Sequence, residues 1–93
     1  MSETTVGGWS PFNFEVTPAA KAVFAEATEG FVGVSYTPFA FATQVVAGTN
    51  YCYLSKAKPA TANPTPFVAK VYVYQPLPGQ GQAHITQIVQ VAP

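Results

Sequence analysis

The hydrophobic period of the chain changes once, close to Gly30, and this change limits the folds that the sequence can adopt. Ahead of Gly30, apolar residues recur at helical spacing, whereas charged residues such as Lys21 and Glu26 fall mostly on the other side. Thr17 suits the N-cap, Pro18 suits the first helical position, and Gly30 suits the left-handed residue that closes a helix. The sequence therefore predicts one short amphipathic helix, with apolar positions Ala19, Ala20, Val23, Phe24 and Ala27.

Beyond Gly30 the period is two, and β-branched and aromatic residues dominate between proline-containing breaks. This pattern predicts four strands, at roughly 31–46, 49–56, 67–74 and 83–91, joined as an antiparallel meander. Residues 1–15 show no clear period and predict an extended, partly mobile arm that can add a fifth strand. A length of 93 residues fits a single domain, 1–93. We expect an α+β fold in which one helix packs on a bent antiparallel sheet of four to five strands.

The first predicted strand changes its apolar phase partway along. The first phase contains Val32, Val34 and Tyr36, and the second contains Phe39 and Phe41. One extra residue would return both sets to the buried face, so we expect a β-bulge or bend near 37–38, where a proline is tolerated. In the third strand the alternation predicts one face of Phe67, Ala69, Val71 and Val73, and another of Val68, Lys70, Tyr72 and Tyr74.

The chain carries very little charge, and this excludes several classes of function. Four lysines balance four glutamates, there is no Arg and no Asp, and only 9% of the residues are charged. Without a basic stripe, nucleic acid is not expected as a partner. Without Asp, calcium loops built on Asp and two-Asp catalysis are excluded. The apolar runs are far shorter than the roughly 20 residues that cross a bilayer, so a membrane is not expected as a partner either.

The chain contains one cysteine, Cys52, and one histidine, His84. Cys52 stands between two tyrosines on a predicted strand, which is typical of a buried packing residue. His84 has no companion at metal-ligand spacing, and no set of nucleophile, base and orienting group can be assembled. We therefore expect no enzyme, no metal and no cofactor. The lone cysteine and the lack of an export signal favour a cytoplasmic location, although a removed leader would leave no trace. The residues expected to pack across strands rather than to bind bases or sugars are Tyr51, Tyr53, Tyr72 and Tyr74.

Three motifs occur in a fixed order along the chain. The octapeptide 44–51 reads Gln-Val-Val-Ala-Gly-Thr-Asn-Tyr, and its first five residues complete the signature Gln-x-Val-x-Gly. A glycine pair, Gly7 and Gly8, precedes the helix, and the segment Pro-Leu-Pro-Gly-Gln at 76–80 precedes the last strand. This arrangement, together with the segment 70–73, resembles the cystatin superfamily, and most closely its stefin branch. The resemblance extends over nearly the whole chain, from Val6 to Val91.

The resemblance implies a reversible inhibitor of papain-like cysteine proteases that works by occlusion. In that family, an N-terminal arm and two hairpin tips form an apolar wedge that enters the active-site cleft without offering a scissile bond in reactive geometry. The residues that correspond to protease-binding positions are Val6, Gly7, Gly8, Gln44, Val45, Val46, Ala47, Gly48, Leu77, Pro78, Gly79 and Gln80. Trp9 is expected to anchor the arm on the domain rather than to touch a protease.

The sequence also departs from the stefin pattern. It lacks the long, heavily charged helix and the charged C-terminal extension of that branch, and its proline-rich connection at 58–66 is longer. The low charge favours an alternative function, a cystatin-fold binding or assembly module that does not inhibit. The resemblance further implies an active monomer and a second state, a domain-swapped dimer in which the first hairpin straightens and loses its tip. Val45 and Val46 favour that extended state because they are β-branched.

Overall fold

The computed structural model describes residues 8–91 of the chain. One helix, α1 (Pro18–Ala27), is followed by four strands, β1 (Val34–Val46), β2 (Gly48–Pro59), β3 (Phe67–Gln75) and β4 (His84–Val91). All neighbouring strands pair antiparallel in the order β1-β2-β3-β4. The helix packs on one face of this open sheet, so the predicted α+β arrangement is confirmed.

The ends of α1 follow the local sequence signals. The Thr17 hydroxyl accepts a hydrogen bond from the Ala20 amide at 3.2 Å, and Pro18 is the first helical residue. The helix stops at Ala27, and Gly30 takes a φ of +82° in the turn that follows. These boundaries confirm the predicted cap and the predicted start. Gly30 is left-handed as expected, but it does not close the helix, because Thr28 is the C-cap and its amide donates to the Phe24 carbonyl at 3.0 Å.

The core lies between α1 and the face of the sheet that we call the core face. Ala20, Val23 and Phe24 of the helix are buried against Tyr53 and Val71 of the central strands. The Phe24 and Tyr53 rings meet edge to face, with their centroids 4.8 Å apart. In β3 the residues of the predicted core face alternate with more exposed ones, as the sequence pattern indicates.

The β-bulge predicted near 37–38 is present, because the β1–β2 register shifts between Pro38 and Ala40. Two expectations of burial are wrong. Phe39 is the extra residue of the bulge, and it turns towards Lys56 and Val68 with 42% of its surface exposed. Val32 is 89% exposed because it precedes the first paired residue of β1 and nothing covers it.

Strand limits also differ in part from the sequence-based ranges. β1 begins at Val34 rather than at residue 31, and β2 continues to Pro59, three residues beyond its predicted end. Pairing between Val34 and Pro59 closes this end of the β1–β2 ladder. A proline is tolerated there because it terminates the strand.

The arm adds isolated bridges to the outer edge of β1 rather than a full fifth strand. Trp9 bridges Gln44 and Asn13 bridges Phe41. The Ser10 amide donates to the Thr43 carbonyl at 2.8 Å. These bonds cover the β1 edge of the sheet and fix the direction of the arm.

Candidate functional site

The β1–β2 connection is a very tight reversal. Val46 pairs with Gly48, so Ala47 alone lies between the paired residues at the tip. Val45 is 47% exposed and Val46 is 39% exposed. Two aliphatic side chains and a methyl group are thus presented to solvent by a short hairpin with both ends in the sheet.

Gly48 makes this reversal possible. Its φ is +106°, a conformation that L side chains rarely adopt. A Cβ built on Gly48 would lie 2.6 Å from the Gln75 carbonyl oxygen and 2.8 Å from the Tyr74 hydroxyl. The Tyr74 hydroxyl donates a hydrogen bond to the Ala47 carbonyl. Close backbone approach to β3 and this hydrogen bond together hold the hairpin tip in one shape.

The base of the first hairpin is held by a side-chain pair. Asn50 and Gln44 face each other in the β1–β2 register, and the Asn50 side-chain Nδ2 donates to Gln44 Oε1 at 2.8 Å. Gln44 is also the residue that Trp9 bridges. The arm therefore reaches the sheet beside the first hairpin, and Gly8 comes directly before that point of attachment.

The β3–β4 connection forms the second hairpin, and its turn has the features of a type II β-turn. Pro78 and Gly79 occupy the two central positions, the φ of Gly79 is +79°, and the Gln80 amide donates to the Leu77 carbonyl at 3.0 Å. Leu77 is 50% exposed. Proline at the first central position stiffens the turn, and glycine at the second supplies the positive φ.

A carboxylate ties the second hairpin to the helix. The Glu26 side chain, from the last turn of α1, accepts a hydrogen bond from the Ala83 amide at 3.3 Å. A negative charge near a helix C-terminus is unfavourable for the helix itself. The bond to Ala83 instead joins the helix to the second hairpin, because Ala83 is buried immediately before β4.

The two hairpins border one groove of about 560 Å³. Its walls are Val45, Val46, Gly48 and Thr49 from the first hairpin and Gln75, Pro76, Leu77, Pro78, Gly81 and Ala83 from the second, with Glu26 from the helix. Glu26 is the one charged residue among these lining groups. Apart from that carboxylate, the groove and its rims are apolar or neutral.

The structure brings most of the predicted binding residues to this end of the sheet. Gln44, Val45, Val46, Ala47 and Gly48 form the first hairpin, and Leu77, Pro78, Gly79 and Gln80 form the turn of the second. Gly8 lies beside the first hairpin through its neighbour Trp9. Val6 and Gly7 lie outside the described residues. The sequence did not point to Tyr74 or Glu26, because their contacts depend on strand register and on helix placement.

Trp9 lies across the face of the sheet opposite the helix, which we call the outer face. A hollow there is lined by Trp9, Ser10, Phe12, Ala42, Cys52, Lys70 and Tyr72. The indole meets the Tyr72 ring edge to face, with the centroids 5.9 Å apart. Ala42 and Cys52 are small and pair across β1 and β2, which leaves space for the indole to reach β3. This contact supports the expectation that Trp9 anchors the arm.

The nucleophilic and titratable side chains near the site are placed for packing. Cys52 is buried, and that burial raises the pKa of its thiol, so the neutral thiol is favoured at pH 7. Burial likewise raises the pKa of Tyr53, whose hydroxyl donates to the Ala20 carbonyl at 2.8 Å. His84 is exposed at the start of β4 and meets the ring of Tyr74 edge to face. Within residues 8–91, no group of three His, Cys, Asp or Glu side chains is arranged to hold a metal ion.

Comparison of the chain with protein-family profiles, with curated proteins and with solved structures returns no match. The helix found in residues 8–91 is also too short to cross a membrane. The resemblance to the cystatins therefore stays a prediction from the three sequence motifs, and the α+β arrangement of residues 8–91 is consistent with it.

Proposed function

We propose that the protein is a reversible inhibitor of papain-like cysteine proteases and that it acts by occluding the active-site cleft. The wedge in this proposal consists of the arm next to Gly8, the first hairpin at 44–48 and the second hairpin at 77–80. The observation that carries the proposal is that both hairpins border a single groove at the end of the sheet where the arm attaches.

The chemistry of the tips supports binding to an apolar cleft. Val45, Val46 and Leu77 are each between 39% and 50% exposed, so their side chains are available to a partner. Their neighbours Ala47 and Pro78 are uncharged. Burial of such groups contributes about 25 cal/mol per Å² of apolar surface, and no charge has to be desolvated at the tips.

The stiffness of the hairpins supports tight binding without cleavage. Gly48 and Tyr74 hold the first tip as a closed turn, and Pro78 stiffens the second. A preorganised loop loses less conformational entropy when it docks than a flexible one does. A tip held in a closed turn also fails to adopt the extended backbone of a substrate in the cleft.

The proposal is tested by progress-curve assays against papain and related enzymes, with a serine protease as the control enzyme. Two wedge variants, Val46→Glu and Leu77→Glu, each place a charge on an exposed tip. The matched control is Val68→Glu, because Val68 is 37% exposed, close to the 39% of Val46, but lies on β3 away from the groove. We expect the wild type and Val68→Glu to inhibit competitively and both wedge variants to bind at least about 10-fold more weakly.

Equal inhibition by the wild type and by both wedge variants would refute the proposed contact surface. No inhibition by the wild type at micromolar concentration would refute the proposed function and favour the non-inhibitory binding module. Circular dichroism of every variant verifies that the fold is retained.

A further inference from the structure

The two edges of the sheet differ in how their backbone groups are satisfied. At the β1 edge, Ser10 and Asn13 of the arm bond to Thr43 and Phe41, and the Thr43 amide donates to the Ser10 hydroxyl at 2.9 Å. At the other edge, β4 pairs with β3 on one side, and no other element within residues 8–91 pairs with its outer side. An edge strand with free N–H and C=O groups is a template for another strand.

The side chains of β4 include none of the charges or prolines that usually protect a sheet edge from such pairing. The strand reads His-Ile-Thr-Gln-Ile-Val-Gln-Val, with no Lys, Glu or Pro. Proteins commonly protect an exposed edge with inward-pointing charges, with proline or with a bulge. A register shift near Thr86 interrupts the start of β4, but the pairing from Gln87 to Val91 is continuous.

Apolar side chains border this edge on both faces of the sheet. Ile88 pairs with Val71 of β3, lies on the core face and is 36% exposed. Val89 and Val91 are 38% and 39% exposed. A strand added beside β4 would cover side chains on both faces in addition to completing the backbone hydrogen bonds.

We propose that the outer edge of β4 pairs antiparallel with β4 of a second copy of this chain, giving a continuous eight-stranded sheet. A second copy fits because the regular segment Gln87–Val91 carries no charged residue. Two identical segments can therefore pair over their full length without charge repulsion. Two-fold pairing about the midpoint of this segment sets Val89 opposite Val89 of the other copy, and no like charges meet. The grooves between the hairpins lie at opposite ends of such a dimer and stay open, because β4 begins beside Ala83, which lines the groove.

This dimer differs from one made by straightening the first hairpin. Edge pairing keeps the Val46–Gly48 reversal and its contact with Tyr74, whereas hairpin exchange would remove them. It also differs from a dimer made by stacking two outer faces, in which Val68 and Val89 would both be covered. The three arrangements therefore respond differently to substitutions at these positions.

The test is sedimentation equilibrium of the full chain from micromolar to millimolar concentration, with Val89→Glu as the edge variant. Within one chain, a carboxylate at position 89 faces Lys70 across the β3–β4 register, so the substitution is compatible with the fold. Between two copies it sets two carboxylates against each other. We expect the wild type to form a dimer and Val89→Glu to dimerise at least about 10-fold more weakly.

Val68→Glu is the matched control, because Val68 has nearly the same exposure as Val89 but lies on β3. We expect it to dimerise like the wild type. Amide hydrogen exchange of the wild type provides a measurement without substitution, and amides in Gln87–Val91 should exchange more slowly as concentration rises. A monomeric wild type, a dimer unaffected by Val89→Glu, or equal loss in both variants would each overturn the proposal.

Discussion

Among single residues, Gly48 is the position where a side chain is least tolerated, because its φ is positive and the space around it is filled. We predict that Gly48→Ala lowers the free energy of unfolding by about 1–3 kcal/mol. A positive φ is strained for alanine, and its Cβ would clash with the β3 backbone. Urea denaturation measures the loss. The substitution should also weaken inhibition, because the Ala47 tip has to shift.

Gly33→Ala is the control for this prediction. Gly33 has a similar φ of +93°, but a Cβ there meets nothing within 4 Å, and it lies at the other end of the sheet. It should show the conformational cost alone and inhibit normally. If both substitutions cost the same free energy and leave inhibition unchanged, the close approach of Gly48 to β3 does not determine the shape of the hairpin tip.

Tyr53 is the residue that couples stability to alkaline pH. Burial, with a smaller contribution from Tyr51, raises the pKa of its hydroxyl above the value of about 10 found in unfolded chains. Its contribution to stability is therefore complete below about pH 10 and falls as the pH rises further, because the unfolded state then loses its proton first. Thermal melts between neutral pH and pH 11 should show a smaller alkaline decrease in Tyr53→Phe than in the wild type.

The same substitution should lower stability at neutral pH by about 0.5–1.5 kcal/mol, because it removes a buried hydrogen bond to the Ala20 carbonyl, which keeps only its helical bond within α1. An identical pH dependence in the variant and the wild type would show that Tyr53 ionisation does not contribute. The two effects are separable because one is constant with pH and the other is not.

At the scale of elements, the arm is attached to the sheet chiefly through Trp9. We predict that Trp9→Ala costs about 1–2 kcal/mol, because roughly half of the indole surface is removed from solvent and its ring contact with Tyr72 is lost. Amide exchange should accelerate at Ser10 and Asn13, whose N–H groups bond to β1.

Phe14→Ala is the control, since Phe14 belongs to the same segment but is 71% exposed. It should change stability by less than about 0.5 kcal/mol. Unchanged exchange at Ser10 in Trp9→Ala would contradict the anchoring role of the indole.

Element boundaries were predictable wherever one residue type determines the local backbone. The Thr17 cap, the bulge after Pro38 and the Pro-Gly turn at 78–79 all follow from neighbouring residues. Burial at Phe39 was not predictable in the same way, because alternation does not reveal which residue of a bulge is left unpaired. Val32 was misassigned because its pattern continues that of β1 into a segment outside the sheet.

At the scale of the whole molecule, the candidate site depends on contacts that no local pattern contains. The motifs of the two hairpins were evident from the sequence, but the contact of Tyr74 with Ala47 requires the β2–β3 register, and that of Glu26 with Ala83 requires the helix position. Both contacts shape the groove. The sequence therefore predicted the two hairpin turns better than the residues that hold them in place.

We propose that the arm and both hairpins form one contact surface for a protease. Amide chemical-shift changes on titration with papain whose active-site cysteine carries a small blocking group would map this surface. We predict changes concentrated at Gly8 and Trp9, at 44–48 and at 77–80, with β4 beyond Thr86 little affected. Changes confined to the outer face or to the β4 edge, or no changes at saturating papain, would refute this contact surface.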